Sequence, residues 1–532
     1  MQALPVGIQT FSKLREDGQL YVDKTADIRR LLNSGRQFFL SRPRRFGKSL
    51  LVSTIAEIFS GNKALFEGLD IYDKWDWSRK HPVVILDWSS YSYSTLEELK
   101  ELVAKSLQTI ANEHQVAMPE SPSECRLVDL IQALHEKTGE RAVVLIDEYD
   151  KPIQDTVDDA ERFAETKTFL RSLYDPLKSC GPHLRFLFLT GVSPLSGLSV
   201  FSTLNNLEDI SFVDSFSTIC GYTQAELESY FAEYITALSE KREITKENAL
   251  ALIKDWYNGY SWDGKISVYN PFSTLLHFKH LEFQNFWFTT ATPTFLLKIL
   301  RQKNKISAIL GELVVATLNA QNEDPRKIDE AILLFQTGYL TIKEKRSLPS
   351  GEMRYTLGFP NREVRVSFLE SLLNFYGEYS AVRTNSFYER LEKQLLAGDA
   401  AALTETLNEA LAWIPYQIIV EAEGYYHTIL LLWLRLLNFN IIGEVSTNIG
   451  RIDAVWELSD QIVVVEVKYA KADEDKPEKD KDDIGAKLDK LLSEAFGQIE
   501  ERKYAERYKN TGKKLTLLAI ACSGKTVKCA IR

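Results

Sequence analysis

Two groups of residues in this chain, about 400 positions apart, have the types and spacing that phosphate chemistry requires. The first is the run RPRRFGKS at residues 42–49, which follows an apolar stretch and precedes an apolar helical pattern. In such a loop Gly47 lets the backbone approach a phosphate, Lys48 supplies positive charge, and the Ser49 hydroxyl can bind Mg²⁺. Arg42 stands where the usual pattern has its first glycine. The residues assigned to nucleotide binding in this run are Arg42, Arg45, Phe46, Gly47, Lys48 and Ser49.

Two later strand ends add the other features of a nucleotide site. The apolar stretch Ala142–Asp147 ends in two acids, Asp147 and Glu148. We expect Asp147 to hold Mg²⁺ through its water shell and Glu148 to polarise an attacking water. A third apolar stretch ends at Thr190, where a residue that senses the terminal phosphate would lie. Alone, the acids could be a solvated turn and Thr190 a strand-end cap, but their order and spacing favour nucleotide binding.

The second group, near the C-terminus, contains two acids and a lysine. Glu466 follows Asp453 by thirteen residues, and Lys468 comes two residues later. Residues two apart in a strand share a face, so Glu466 and Lys468 should lie together. We expect Asp453 and Glu466 to bind Mg²⁺, and Lys468 to orient water or stabilise charge during phosphodiester cleavage. Taken alone, this spacing is more often a charged hairpin without catalytic function.

Two further residues are candidates for this second site. Glu423 lies four residues before His427 on a predicted helix, so the two share a face, and Glu423 is assigned as an additional active-site acid. The alternatives are that Glu421 takes this role, or that Glu423 is a solvated acid at a helix start. Gln498, on a later predicted helix, could reach the active site or be an ordinary exposed polar residue.

The elements that must position these residues follow an α/β pattern. Short apolar stretches alternate with amphipathic helices over the first 220 residues, which predicts a mainly parallel sheet covered on both faces. Thr223 followed by Glu226 predicts a capped helix start, and the mixed-charge run 471–483 predicts a solvated loop. The predicted strands are Gln37–Ser41, Pro82–Trp88, Ala142–Asp147 and Leu184–Thr190, with a C-terminal hairpin of Ile452–Trp456 and Gln461–Tyr469.

Size and composition limit the class of protein. A chain of 532 residues is too long for one ordinary core. The net charge of −10 argues against a polybasic coat, although one domain can still present a basic face to nucleic acid. No stretch approaches the ~20 apolar residues of a membrane span, so we expect no membrane partner. Five scattered cysteines fit reduced thiols in a cytoplasmic protein.

The N-terminal motifs resemble those of a bacterial AAA-ATPase-like family. The resemblance rests on Tyr21–Thr25, Arg42–Ser49, Asp147–Pro152 and Leu189–Ser193, and it continues through Tyr269–Pro271. It implies a P-loop ATPase fold that uses ATP and Mg²⁺, in which arginine in place of the first glycine is a family habit. Two roles for Tyr21–Thr25 stay open, adenine contact and packing against the ATPase core. Arg44 and Arg45 could stabilise phosphate charge, face DNA or be solvated.

The C-terminal motifs resemble the PD-(D/E)XK nuclease superfamily, in the branch commonly fused to that ATPase family. The resemblance covers about residues 415–525 and rests on Glu423–His427, Gly450–Asp453, Glu466–Lys468 and Gln498. It implies Mg²⁺-dependent hydrolysis of nucleic acid, usually DNA. Ile452 replaces the proline of the motif, and some members of the superfamily bind without cutting.

These observations predict four domains and an ATP-gated nuclease. The domains are an AAA-like P-loop ATPase (1–220), a helical, winged-helix-like lid (221–375), a helical connector (376–414) and a restriction-endonuclease-like α/β domain (415–532). The expected cofactors are ATP and Mg²⁺, and the expected partner is DNA, with RNA as the alternative. A regulatory switch whose nuclease fold only binds nucleic acid is one rival, and a signalling ATPase that changes its homo-oligomeric state is another. By analogy, such an architecture fits phage defence or mobile-element biology.

Overall fold

The structure is a computed structural model, and it describes residues 1–192, 206–287, 313–318, 328–377, 381–412, 440–447, 450–457, 461–470, 481–502, 508, 512–523 and 526–532. Contacts between Cα atoms group the chain into two compact units. Unit 1 comprises Met1–Thr292 and Val314–Arg365, and unit 2 comprises Pro293–Leu313 and Val366–Arg532. The limits of the four predicted domains stay predictions.

A five-stranded parallel sheet lies at the centre of unit 1. Its order is β2-β3-β4-β1-β5, and each neighbouring pair runs parallel. The predicted parallel α/β sheet is confirmed, and its four expected strands lie within one residue of the predicted limits. Because β4 separates β1 from β3, Thr190 lies between the loop after β1 and the acids after β3. The strands are β1 (Gln37–Ser41), β2 (Val83–Asp87), β3 (Ala142–Asp147), β4 (Leu184–Gly191) and β5 (Glu208–Asp209).

Helices connect these strands and bury their apolar faces. On α4, Leu99, Val103 and Leu107 recur every fourth residue and are fully buried in the core shared with the sheet. Burial of such a side chain contributes about 1.5–3 kcal/mol. Thr95 and Glu98 form a reciprocal capping box at the start of this helix. The helices are α1 (Phe11–Glu16), α2 (Thr25–Ser34), α3 (Lys48–Phe59), α4 (Leu96–Glu113), α5 (Arg126–Thr138), α6 (Lys151–Gln154) and α7 (Ala160–Tyr174).

A helical region and a β-hairpin complete unit 1. The expected capping box of Thr223 and Glu226 is present at the start of α8. Leu20 and Val22, from the N-terminal segment, share a buried core with α8 to α11. The helices are α8 (Gln224–Tyr230), α9 (Ala232–Arg242), α10 (Lys246–Tyr257), α11 (Pro271–His280) and α12 (Glu330–Gln336). A three-stranded sheet of order β6-β8-β7 contains β6 (Leu313–Val315), β7 (Thr341–Ser347) and β8 (Met353–Gly358).

Three helices follow the hairpin in sequence. They are α13 (Arg362–Gly377), α14 (Ala381–Ala397) and α15 (Ala400–Ala412). Unit 1 ends at Arg365, so the chain passes into unit 2 within α13. Across the part of the chain that the structure describes, no helix is long and apolar enough to cross a membrane.

Unit 2 is built on a mixed five-stranded sheet of order β13-β12-β11-β10-β9. Only β11 and β12 pair in parallel, and the other pairs are antiparallel. The predicted hairpin corresponds to β10 and β11. Helix α16 packs its apolar side chains on one face of the sheet; its first three residues, 481–483, were expected to belong to the charged loop. The elements are β9 (Asn440–Thr447), β10 (Gly450–Glu457), β11 (Gln461–Ala470), α16 (Lys481–Glu501), β12 (Lys514–Ser523) and β13 (Thr526–Ile531).

Candidate phosphate-binding site and candidate nuclease centre

The residues after β1 form a tight loop that leads directly into α3. Gly47 has a φ of +86° and Arg45 a φ of +68°, so both lie in the left-handed region. The first backbone hydrogen bond of the helix runs from the Leu51 N–H to the Gly47 carbonyl at 3.0 Å. The N–H groups of the first turn, from Lys48 onward, therefore have no acceptor within the helix, which is the arrangement that binds anions.

Lys48 is held inside this loop by the loop's own backbone. Its side chain is buried, with 4% of the residue exposed, and Nζ donates to the carbonyls of Arg42 at 3.1 Å and Pro43 at 3.2 Å. These two hydrogen bonds hold the Lys48 side chain at the mouth of α3. A phosphate group at the same place would offer it stronger, charged acceptors.

Asp147 lies beside the start of α3, as the sequence predicts for a nucleotide site. The Ser49 hydroxyl hydrogen-bonds the Asp147 carboxylate. Burial raises the pKa of Asp147 to about 6, while the bond from Ser49 and the nearby charge of Lys48 lower it. A hydroxyl and a carboxylate in contact are the hard oxygen donors that Mg²⁺ prefers.

Three further polar groups surround this pair at the same edge of the sheet. Glu148 has a φ of +53°, and its N–H donates to the Asp147 carboxylate at 3.0 Å. Thr190 is fully buried, and its hydroxyl has no hydrogen-bond partner among the described residues. Asp87 pairs in register with Asp147 across β2 and β3, and it was not among the predicted site residues. Its position at the end of a predicted strand was the available signal.

The Arg42 side chain is directed into the protein. Its guanidinium is buried and donates to the carbonyls of Ser41 at 2.8 Å, Ser211 at 2.9 Å and Phe216 at 3.0 Å. It also lies 4.0 Å from the ring centroid of Trp262. Both terminal nitrogens of the guanidinium therefore donate inside the protein and support the loop from behind, and the assignment of Arg42 to nucleotide binding stays a prediction.

The other loop residues border a cleft of about 450 Å³. Phe46 is buried and makes edge contacts with Tyr260 at 4.7 Å and Trp262 at 5.4 Å between ring centroids. Arg45 lies 4.8 Å above the ring of Phe272. The cationic lining includes Arg44, Arg45, Lys48 and Lys151, and the acidic lining includes Glu148 and Asp155.

A smaller, mainly apolar cavity of about 70 Å³ shares Phe46, Gly47 and Leu50 with this cleft. Tyr21 and Val22 line it, which places the N-terminal motif next to the loop. Lys24, from the same motif, forms an ion pair with Glu226, in which the ammonium lies 2.6 Å from the carboxylate. The two roles left open for this motif, adenine contact and packing, are both compatible with this position.

In unit 2, the structure brings Glu466, Lys468 and Gln498 together. Glu466 and Lys468 lie two residues apart on β11, and the Lys468 ammonium is 2.9 Å from a Glu466 carboxylate oxygen. The Gln498 side chain, from α16, accepts a hydrogen bond from Lys468 at 2.6 Å and donates to the same Glu466 oxygen. Glu466 is only 1% exposed, so its charge depends on these partners.

Two predicted residues of this centre are described only in part or not at all. Asp453 lies in β10, and extension of the β10–β11 register by one residue from Ala454 and Val465 places its backbone beside Glu466. The structure does not describe the Asp453 side chain, and Glu423 lies outside the described residues. The predicted set of Asp453, Glu466 and Lys468 stays a prediction.

The donor chemistry of both centres suits Mg²⁺. Ser49 and Asp147 would hold it in unit 1, and Glu466 would hold it in unit 2 together with Asp453. Among the described side chains, no group of three or more His, Cys, Asp or Glu forms a metal cluster. Such a cluster is not required, because Mg²⁺ keeps several waters and takes one or two carboxylates.

The fold and these two centres define a class of protein, in which a P-loop ATPase-like domain and a PD-(D/E)XK nuclease-like domain share one chain. Family models agree with this class. Residues 5–201 match the model described as "Predicted AAA-ATPase", and residues 421–530 match the "PD-(D/E)XK nuclease superfamily".

A full-length relative extends the comparison to the whole chain. An "Uncharacterized protein in vnfD 5'region" of Azotobacter chroococcum mcd 1 is 35% identical over 529 residues, which cover 98% of this chain and 96% of that protein. The chain therefore belongs to the family of AAA-ATPase-like proteins with a C-terminal PD-(D/E)XK nuclease superfamily domain. No solved structure gives a significant match to it.

Proposed function

We propose that this protein binds and hydrolyses ATP with Mg²⁺, cleaves DNA in its C-terminal domain, and uses the nucleotide to control cleavage. The observation that carries the proposal is the presence in one chain of two centres that each combine a lysine with a buried carboxylate. Lys48 lies at the mouth of α3 near Asp147, and Lys468 bonds Glu466 on β11. The first combination suits a nucleotide phosphate and the second suits a phosphodiester.

The ATPase half of the proposal is supported by residues of unit 1 that are suited to different steps. The N–H groups at the start of α3 and Lys48 would bind the phosphates, and Ser49 with Asp147 would hold the metal. Glu148 lines the cleft and is turned out of β3 by its left-handed backbone, which suits a base that orients water. The buried Thr190 hydroxyl is free, among the described residues, to bond a ligand.

The nuclease half is supported by the geometry of β11 and α16. Mg²⁺, when bound, would activate water and neutralise phosphate charge. Gln498 holds the Lys468 ammonium in place, so the lysine does not depend on the ligand for its orientation. From there it can hydrogen-bond a water or stabilise negative charge on the phosphate.

One experiment tests both halves with matched variants. Purified protein is incubated with linear and circular DNA and with RNA, with and without ATP and Mg²⁺. Glu466→Gln should abolish cleavage and leave ATP binding intact, and Lys48→Ala should weaken ATP binding by tenfold or more, about 1.4 kcal/mol. Glu494→Gln, an exposed acid on α16, and Lys178→Ala, an exposed lysine in unit 1, serve as controls.

The outcomes separate the proposal from its rivals. Cleavage that persists in clean Glu466→Gln protein would refute the assigned centre. Tight DNA or RNA binding by the wild type without metal-dependent products would instead support a regulatory switch with an inactive nuclease fold. Equal cleavage with and without ATP would remove nucleotide control while leaving the nuclease.

A further inference from the structure

A second part of unit 1 contacts the phosphate loop at Pro43, at the Arg44 carbonyl and at Phe46. The Trp287 indole N–H donates to the Arg44 carbonyl at 3.0 Å, and Trp287 is 1% exposed. Gly338 packs so closely on the loop that a Cβ at this position would lie 2.6 Å from the Pro43 Cβ. These two contacts and the aromatic contacts of Phe46 pack the loop and this second part of unit 1 into one region.

Trp287 is in turn bound to the start of α13. Its backbone N–H donates to the Glu363 carboxylate at 2.7 Å, and the Ser273 hydroxyl donates to the same oxygen at 3.1 Å. Glu363 is completely buried. It lies in the first turn of α13, three residues before the chain enters unit 2 at Val366. Hydrogen bonds through Trp287 therefore join the Arg44 carbonyl to the helix that leads to the nuclease unit.

Nucleotide binding should change the hydrogen bonds within the loop. Lys48 now holds the carbonyls of Arg42 and Pro43, directly before Arg44. A phosphate competes for that ammonium, and the two carbonyls lose their donor when it moves. A shift of the Arg44 carbonyl would then leave a buried indole N–H without its acceptor, which is costly in a packed interior.

We propose that Trp287 and Glu363 form a relay through which the nucleotide state of the phosphate loop is transmitted to α13. The relay rests on the proposed nucleotide binding. It would be the route by which that site controls the rest of the chain. Trp287 and Glu363 are positioning residues, since neither lines the phosphate cleft. The coupling should change the equilibrium constant for opening of the first turns of α13 by about fivefold or more between the free and the nucleotide-bound state.

The test is hydrogen–deuterium exchange of peptides within residues 362–377, measured with Mg²⁺ and a non-hydrolysable ATP analogue. Each variant is used at a nucleotide concentration that saturates it, as determined by titration with a fluorescent ATP analogue. Trp287→Phe removes the indole donor and keeps an aromatic ring. Trp77→Phe is the matched control, because the Trp77 indole also donates to a backbone carbonyl, that of Tyr72 at 2.8 Å, away from the loop.

The relay predicts a nucleotide-dependent change in exchange in wild type and Trp77→Phe, and its loss in Trp287→Phe. Binding to the wild type without any change in α13 would overturn the relay alone, and so would an unaltered response in Trp287→Phe. Absence of nucleotide binding by the wild type would remove the proposed function and the relay with it. If Trp287→Phe does not fold, Glu363→Ala, which removes the acceptor of the Trp287 N–H, is measured instead. An unaltered response in Glu363→Ala, or no change in α13 in the nucleotide-bound wild type, would overturn the relay.

Discussion

Replacement of Glu363 by glutamine should change how the stability of unit 1 depends on pH. Burial raises the pKa of Glu363 from 4.5 to about 7, and the bonds from Trp287 and Ser273 offset only part of this effect. The carboxyl is thus protonated in the folded state over a range in which the unfolded chain has lost its proton. Glutamine keeps the acceptor oxygen and has no proton to lose. The nearby phenols of Tyr257 and Tyr260 do not titrate in this range, since burial raises the pKa of both.

The size of the effect follows from the two pKa values. The folded protein binds the proton more tightly, so the contribution of Glu363 to stability is complete below pH 4.5 and is lost as the pH rises through about 7. A tenfold difference in proton affinity corresponds to about 1.4 kcal/mol, so the loss is roughly 3 kcal/mol. Relative to wild type, Glu363→Gln should gain about this much stability between pH 4.5 and pH 8.

The assay is urea denaturation at several pH values, read by hydrogen exchange of unit 1 peptides. A local probe is needed because a chain with two units does not unfold in one step. Comparison with wild type at each pH cancels the titration of all other groups. Glu344→Gln, which changes an exposed acid on β7, is the control. If the difference between Glu363→Gln and wild type stays constant across this pH range, the inferred protonation of Glu363 is refuted.

Three further substitutions test other contacts. Arg42→Gly restores the usual glycine but removes three buried hydrogen bonds, so it should destabilise unit 1 by about 3 kcal/mol in urea denaturation. A loss of nucleotide affinity at unchanged stability would instead support direct phosphate contact. Gln498→Leu removes one of the two hydrogen-bond partners that Lys468 has among the described residues and should slow Mg²⁺-dependent DNA cleavage by about tenfold to hundredfold. Full activity in a cleavage assay would contradict this role. Gly338→Ala combines a φ of +88° with a clash against Pro43, so it should cost about 1–3 kcal/mol and lower the thermal midpoint; an unchanged midpoint would show that the two segments separate easily.

Much of the fold could be predicted because it depends on patterns of residues that are close in sequence. The four long strands of the parallel sheet are apolar runs with polar ends, and the capping boxes at Thr95 and Thr223 involve residues only three apart. The β10–β11 hairpin follows from two alternating strands separated by a short turn. In each case the residues that decide the conformation are neighbours in sequence.

Contacts that the sequence does not predict arise where partners come from distant parts of the chain. The glycine-like position of Arg42 suggested a phosphate contact, but its acceptors at Ser211 and Phe216 lie about 170 residues away. Asp87 was missed because its nearness to Asp147 depends on β2 pairing with β3 in a particular register. Neither pairing leaves a local signal in the sequence.

The sequence alone determined which residues are able to do chemistry, since a lysine after glycine at a helix start and an acid two residues before a lysine on a strand are local arrangements. Only the tertiary structure decided which of them meet. Packing of α16 on the sheet brings Gln498 to Glu466 and Lys468, and packing of Trp287 on the phosphate loop joins that loop to Glu363. The physical reason is that periodicity and capping depend on neighbouring residues, whereas long-range contacts depend on how buried surfaces from the whole chain fit together.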